Sequence, residues 1–297
     1  MRLKTPLLID PDKIPRVLML GNGVLQLAGG GSWGALLDAI SSVPVEKEKL
    51  TEVPYAMQPE CLCGVDVEEV QRKTASAIQD SQVHTILRQL VEMPFDAILT
   101  TNYTYEIEDA ITGGKWDDRQ RRKAFCALDG NTHVHHNTCI CNLVTGSGGR
   151  TIPVFHLHGE RLRKHSLVLS YYSYANAVSR LVSLNKQRGN AYQEKQEANE
   201  PLQVLSWLDY FLMGDVYGVG FGFDTSEFDI WWAIERKARE KAKHGRLCAY
   251  MITNHDRNLP HEILFEAMAV RYKRLDAVSG YENAYIEAVK DIAKEIG

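Results

Sequence analysis

The sequence predicts an α/β fold with a largely parallel sheet, on three observations. Short apolar runs of strand length alternate with longer segments of helical periodicity. Most of those runs end in Gly, Asn, His or Thr, and in open α/β sheets ligands bind just beyond the carboxyl ends of the strands. A chain of 297 residues, 44% hydrophobic and 24% charged, is long enough to bury a self-sufficient core without disulfide or metal staples.

The strand candidates, in order, are Arg16–Leu20, Phe95–Thr101, Ile152–His158, Asp215–Phe221, Leu247–Thr253 and Ala269–Tyr272. Between the first two lies a helical stretch, Val67–Met93, too long for a simple crossover. Tyr171–Leu212 is polar and mostly helical, broken at Lys186–Asn190, and reads as a helical module inserted in the sheet. Phe228, Trp231, Ile234, Ala238 and Ala242 recur at helical spacing, so the segment from Ser226 to Lys243 packs one face. Tyr281, Tyr285, Val289, Ile292 and Ile296 repeat that pattern after a start signal at Ser279 or Gly280. Together these give one Rossmann-like domain over residues 1–297, with helices on both sheet faces and helical insertions at about 60–93 and 171–212.

Charge and patterning exclude several classes. Lys and Arg number 34 against 38 Asp and Glu, a net charge of −4, so the broad positive surface that nucleic-acid backbones recruit is absent and no direct nucleic-acid binding is expected. Asp117–Lys123, a mixed charge run, reads as a solvated face. No uninterrupted apolar run approaches a membrane span, and Met1–Pro6 lacks the apolar core of a secretory signal, so a cytoplasmic protein is expected. The six cysteines, Cys61, Cys63, Cys126, Cys139, Cys141 and Cys248, then read as reduced thiols.

The chemistry-bearing residues follow the strands. Gly21-Asn22-Gly23 and Gly29-Gly30-Gly31-Ser32 would let backbone approach a phosphate, with Ser32 capping a helix; the alternative is a glycine-rich turn without ligand, since Gln26 stands where a dehydrogenase fingerprint has its third glycine. Asn102, after Thr100-Thr101, is either a helix cap or a carboxamide holding a ribose hydroxyl or a water. His158, at a strand end beside Gly159, is a candidate general base, whereas His156 reads as a core histidine. Gly218, Gly220 and Gly222, with Asp224 after them, suggest a second place where amides cradle a nucleotide, and Asn254 follows the fifth strand. Two half-sites pointing at one cleft suit a dinucleotide. His133, His135, His136, Cys139 and Cys141 form either a metal cluster or a polar hairpin; no metal is expected.

In order and approximate spacing, Gly21-Asn-Gly23, Thr100-Thr-Asn102-Tyr103, His156-Leu-His158-Gly159 and Gly218-Val-Gly-Phe-Gly-Phe-Asp224 resemble the motifs of the sirtuin-like proteins, particularly the bacterial branch that hydrolyses NAD. The resemblance spans roughly residues 15–297. It implies that Asn102 and His158 are catalytic, that Gly21, Asn22, Gly23, Ser32, Thr101, Gly220 and Asp224 bind the dinucleotide, and that Asn254 holds the adenosine ribose. It further implies that NAD is the substrate, that the chain assembles as a homo-oligomer, and that it serves bacterial antiphage defence by NAD depletion, restrained until a partner protein or phage-derived trigger arrives. Three departures stand out: Asn22 replaces the small residue of the usual Gly-Ala-Gly, Thr101 stands where protein deacylases carry Gln, and Thr104 where many members carry Asp. Two alternatives remain, a sensor of NAD or ADP-ribose without turnover and an NAD-dependent protein deacylase. The second is disfavoured because Cys61-Leu-Cys63 and Cys139-Ile-Cys141 each have one intervening residue, awkward for a structural zinc knuckle.

Overall fold

A computed structural model describes residues 5–43, 47–114, 116–128, 137–253 and 261–297. Its strands are β1 (Leu8–Ile9), β2 (Arg16–Leu20), β3 (Ala97–Thr100), β4 (Phe125–Ala127), β5 (Ile140–Thr145), β6 (Thr151–His156), β7 (Leu202–Gln203), β8 (Asp215–Val219), β9 (Leu247–Thr253) and β10 (Arg271–Asp276). Eight of them form one sheet in the order β10-β9-β8-β2-β3-β6-β5-β4, while β1 and β7 pair apart as a short antiparallel ribbon. From β10 through β6 every neighbouring pair is parallel; β5 and β4 extend that edge antiparallel. The fold is the Rossmann-like α/β arrangement with a mostly parallel sheet.

The sheet is covered on both faces because its strands are apolar on both. Along β2, Val17 and Met19 enter one core while Leu18 and Leu20 enter the other, and Ala97 and Leu99 against Ile98 repeat the period of two in β3. Helices Trp207–Met213 and Phe228–Ala238 supply the first core through Trp207, Phe211, Ile230 and Ile234. Helices Thr85–Glu92 and Tyr281–Ile296 supply the second through Leu87, Leu90, Ala288 and Ile292. Each fully buried aliphatic side chain of this kind contributes about 2 kcal/mol.

Two insertions depart from a minimal crossover. Between β2 and β3 the chain forms helices Trp33–Ile40, Gln58–Cys63 and Val67–Ala77, and Ile78–His84 separates the last of these from Thr85–Glu92. The expected Val67–Met93 stretch is therefore two helices, each with its own side-chain cap, Asp66 and His84. Between β6 and β8 run Tyr171–Arg188 and Ala191–Glu197, broken at Gly189 as the sequence indicates, then Trp207–Met213.

Some sequence expectations shift. In helix Phe228–Ala238 the buried stripe is Ile230, Ala233, Ile234 and Lys237, while Phe228 is exposed and packs edge-on against Tyr171. Lys237 belongs to that stripe because its Nζ donates to the carbonyls of Phe211, Leu212 and Gly214 at 2.8–2.9 Å, satisfying the end of the neighbouring helix. The charge run Asp117–Lys123 is a capped helix that is not wholly solvated: Arg121 is buried, bound to Asp80 and Asp109. Among the described residues no helix is long and apolar enough to cross a membrane.

Candidate functional site

From β2 the chain moves through β3 to β6, and from β8 through β9 to β10 in the opposite direction, so the sheet's switch point lies between β2 and β8. Parallel sheets open a crevice there, outside the carboxyl ends of the strands. A cavity of about 750 Å³ occupies that place, lined from the loops after β2, β3 and β8, from His158, and from the helical segment 33–81. Its volume lies within the range of small-molecule sites.

The two glycine loops meet each other first. Gly21 N donates to the Val219 carbonyl at 3.0 Å and Gly23 N to the Gly220 carbonyl at 2.9 Å. A Cβ on Gly21 would collide with the Gly220 carbonyl and Phe221, and one on Gly23 with the Tyr285 hydroxyl. Gly220 has φ +67°, and a side chain there would press on Val24 N. Loop-to-loop packing thus requires glycine at these positions. Gly23 and Gly220 line the cavity and Gly21 does not. Asn22 lines it too, while its Nδ2 donates to the Gly31 carbonyl at 2.7 Å and so holds the second glycine run in place. Ser32 caps helix Trp33–Ile40, its Oγ accepting from Ala35 N, as its sequence position suggested.

Asn102 leaves β3 at the floor of the cavity. Thr100 Oγ1 donates to the Leu20 carbonyl at 2.9 Å and accepts from Asn102 N at 3.1 Å, which ties the residue to the central strands. The following helix, Glu106–Thr112, starts four residues later with Tyr105 at its cap, so Asn102 does not cap it. Its side chain is 7% exposed, and Nδ2 is buried with no partner among the described residues. A buried donor left unpaired costs free energy, and a ligand oxygen in the cavity would satisfy it.

His156 is the buried residue the sequence suggested, and it serves Asn102 from beneath. Its Nδ1 lies 2.7 Å from the Asn102 carbonyl and its Nε2 2.8 Å from Glu108 Oε1. Both partners are acceptors, so both contacts are hydrogen bonds when each ring nitrogen carries a proton. Burial opposes ionisation of Glu108, but His156 and a hydrogen bond from Asn142 hold its carboxyl below the usual range.

His158, 2% exposed, reaches the cavity from the end of the third parallel strand. Gly159 has φ +86° and a Cβ there would strike Ser166, so only glycine lets the chain turn away directly after it. His158 Nε2 donates to Asp229, with oxygens at 3.1 and 3.3 Å, and its ring packs edge-on against Tyr174 at 5.2 Å. Burial disfavours the charged ring, but the Asp229 carboxylate outweighs it and, with Glu227, raises the His158 pKa above its ordinary value. With Nε2 committed to Asp229, the neutral ring presents its lone pair at Nδ1, the arrangement of a base oriented by a carboxylate.

Thr101 and Asp224 also line the cavity. Asp224 Oδ1 accepts from Ser226 N at 2.8 Å and Ser226 Oγ at 2.6 Å, so that side chain shapes its own turn. Asn254 lies outside the described residues, as do His133, His135 and His136 of the suggested metal cluster. Cys139 and Cys141 are buried, Cys141 opposite Cys126 across the β4–β5 pair. Among the described residues no group of three or more His, Cys, Asp or Glu could hold a metal ion.

Sequence reasoning missed four acids around the site. Asp80, Glu106 and Glu227 line the cavity and Asp229 backs His158. Asp80 is held ionised against burial by Arg161 and Arg121; Glu106 accepts from Ser81 Oγ at 2.9 Å. Glu227 and Asp229 follow Asp224 closely, at the start of the tryptophan-bearing helix, and an acid pair entering a helix beside a glycine loop was the signal available. No Lys or Arg lines the cavity among the described residues. Comparison with protein-family models and with curated proteins finds no match for the chain.

Proposed function

We propose that the protein is an NAD hydrolase that breaks the nicotinamide N-glycosidic bond to give nicotinamide and ADP-ribose. The observation that carries this reading is the meeting, in one cavity at the sheet's switch point, of the unpaired Asn102 carboxamide and the Asp229-oriented His158. The lining suits the charge distribution of NAD. Its pyridinium end is cationic and fits acidic walls, while its pyrophosphate would rest on backbone at the open glycines Gly31 and Gly222, where no side chain intervenes.

In the reaction the bond from C1′ of the ribose to the nicotinamide nitrogen breaks, with both electrons going to nitrogen, so neutral nicotinamide leaves. C1′ becomes electron-poor, and a water oxygen adds to it. Asn102 positions that water or the ribose hydroxyls, and His158 Nδ1 takes the proton the water releases. Asp229 stabilises the imidazolium so formed, and Glu108 with His156 keeps the Asn102 backbone fixed. A role in bacterial antiphage defence through NAD depletion is part of the same proposal and rests on the motif resemblance.

The test is incubation of the purified protein with NAD, quantifying nicotinamide and ADP-ribose, with Asn102→Ala and His158→Ala alongside. Release by the parent and loss in both variants is expected. Release that survives both substitutions refutes the site; tight NAD binding without release leaves the sensor or a hydrolase restrained until its trigger arrives.

A further inference from the structure

We propose that Glu227 is a further catalytic residue of this cavity, the carboxylate that faces C1′ of the ribose and stabilises the positive charge developing there as nicotinamide leaves. This rests on the hydrolase reading and adds the group that reading lacks, since neither Asn102 nor neutral His158 supplies an anion.

The geometry singles Glu227 out among the acids of the lining. Asp80 is bound by Arg121 and Arg161, Asp224 is consumed by its turn, and Glu106 gives Oε1 to Ser81 and leaves Oε2 unpaired; of these four lining acids Glu227 alone lies close enough to His158 to raise its pKa. Glu227 stands at the N-cap of helix Phe228–Ala238, yet its side chain accepts nothing from that helix. No described side chain hydrogen-bonds or ion-pairs with its carboxyl group, which takes a hydrogen bond from the Asp224 backbone, and the residue is half-buried on the cavity wall. The groups that face it are His158 from the end of the third parallel strand, Tyr103 after β3, Tyr174 of helix Tyr171–Arg188, Asp224 of the preceding loop and Asp229 of its own helix. A carboxyl group with no side-chain partner beside the base, near a buried carboxamide whose Nδ2 is unpaired, is placed for a ligand that is cationic next to a hydroxyl-bearing ring. A ribose losing a pyridinium has that character, and a charge fixed in a partly desolvated site stabilises it without reorganising. No bond forms to Glu227 in this step: the electron pair leaves with nicotinamide, oxygen comes from water and the proton goes to His158.

Burial pushes the Glu227 carboxyl up to about 8, His158 working against it and Asp229 and Asp224 adding to it. Glu227 is therefore protonated below pH 8 and gains its charge above, so kcat should climb as pH rises toward 8 and level off beyond it. Glutamine copies the protonated form. Glu227→Gln should consequently lower kcat about 100-fold at pH 9 and far less at pH 6, a pattern that a merely structural role would not produce.

The experiment measures nicotinamide release from NAD at pH 6 and pH 9 by the parent, Glu227→Gln and Glu227→Asp, with ADP-ribose binding by calorimetry on each. The expected result is the pH-dependent loss in Glu227→Gln, with ADP-ribose binding kept and the pH rise retained at lower kcat in Glu227→Asp. An equal loss at both pH values, or none, overturns the role of Glu227 while hydrolysis stands. If Glu227→Gln fails to bind ADP-ribose, Glu227→Asp decides, and an unchanged kcat there overturns the proposal. A parent that binds NAD and releases no nicotinamide at either pH overturns the reading of a hydrolase active without a trigger, on which the role of Glu227 in this assay rests.

Discussion

The strand ends that carry Asn102 and His158, and the helical segment 33–77 that lines the same cavity, are held by different means. Asn102 and His158 follow strands paired on both sides and packed into both large cores. The helical segment has only a small core of its own, Leu37, Ile40, Leu62 and Val70 with Leu167 and Leu169. Polar ties supplement it: Gln58 accepts from Trp33 Nε1 at 2.6 Å and donates to the Leu50 and Val53 carbonyls, and Gln71 Nε2 donates to the Leu167 carbonyl at 2.8 Å. Under the proposed hydrolase reading, the groups that need positions fixed to a fraction of an ångström sit on the sheet, while grip on the ligand tolerates a looser wall.

The largest loss is expected where the sheet's two loops interlock. Gly21→Ala places a methyl group against the Gly220 carbonyl, backbone on backbone, and is expected to cost about 3 kcal/mol, read as a fall in denaturation midpoint together with loss of NAD binding. Asp229→Asn should leave the fold intact and lower kcat about 100-fold. Because the Asp229 charge raises the His158 pKa, its removal should also move the acid limb of the rate profile to lower pH. On the wall, Trp33→Ala should raise KM about tenfold with kcat retained, as expected for a residue that binds ground state and transition state alike. The smallest effect is Ser32→Ala, which removes a helix cap worth about 1 kcal/mol and should appear as faster amide exchange in helix Trp33–Ile40 rather than as a change in kcat.

The same contrast explains what the sequence discloses. β2 and β9 occur where the apolar runs place them, because buried parallel strands are apolar throughout. The last strand lies later than expected, at Arg271–Asp276 instead of Ala269–Tyr272, because this edge strand exposes its charged residues and Ala269, with φ +54°, still belongs to the turn after a helix. Motifs on the sheet, Asn102 and His158 above all, are legible since strand ends and adjacent glycines mark them. Asp229 is not legible: 71 residues separate it from His158, and only the packing of helix Phe228–Ala238 brings the two together. The wall is equally hidden, because the break at Ile78–Ser81 that contributes to the cavity interrupts what reads as one continuous helix.

The central claim, that the sheet performs glycosidic cleavage of NAD while the helical wall only binds, is tested most directly by nicotinamide release kinetics of the parent, Asn102→Ala and Trp33→Ala side by side. The account predicts release by the parent, collapse of kcat in Asn102→Ala, and a raised KM with kcat kept in Trp33→Ala. Retention of kcat in Asn102→Ala, or its collapse in Trp33→Ala, would contradict it.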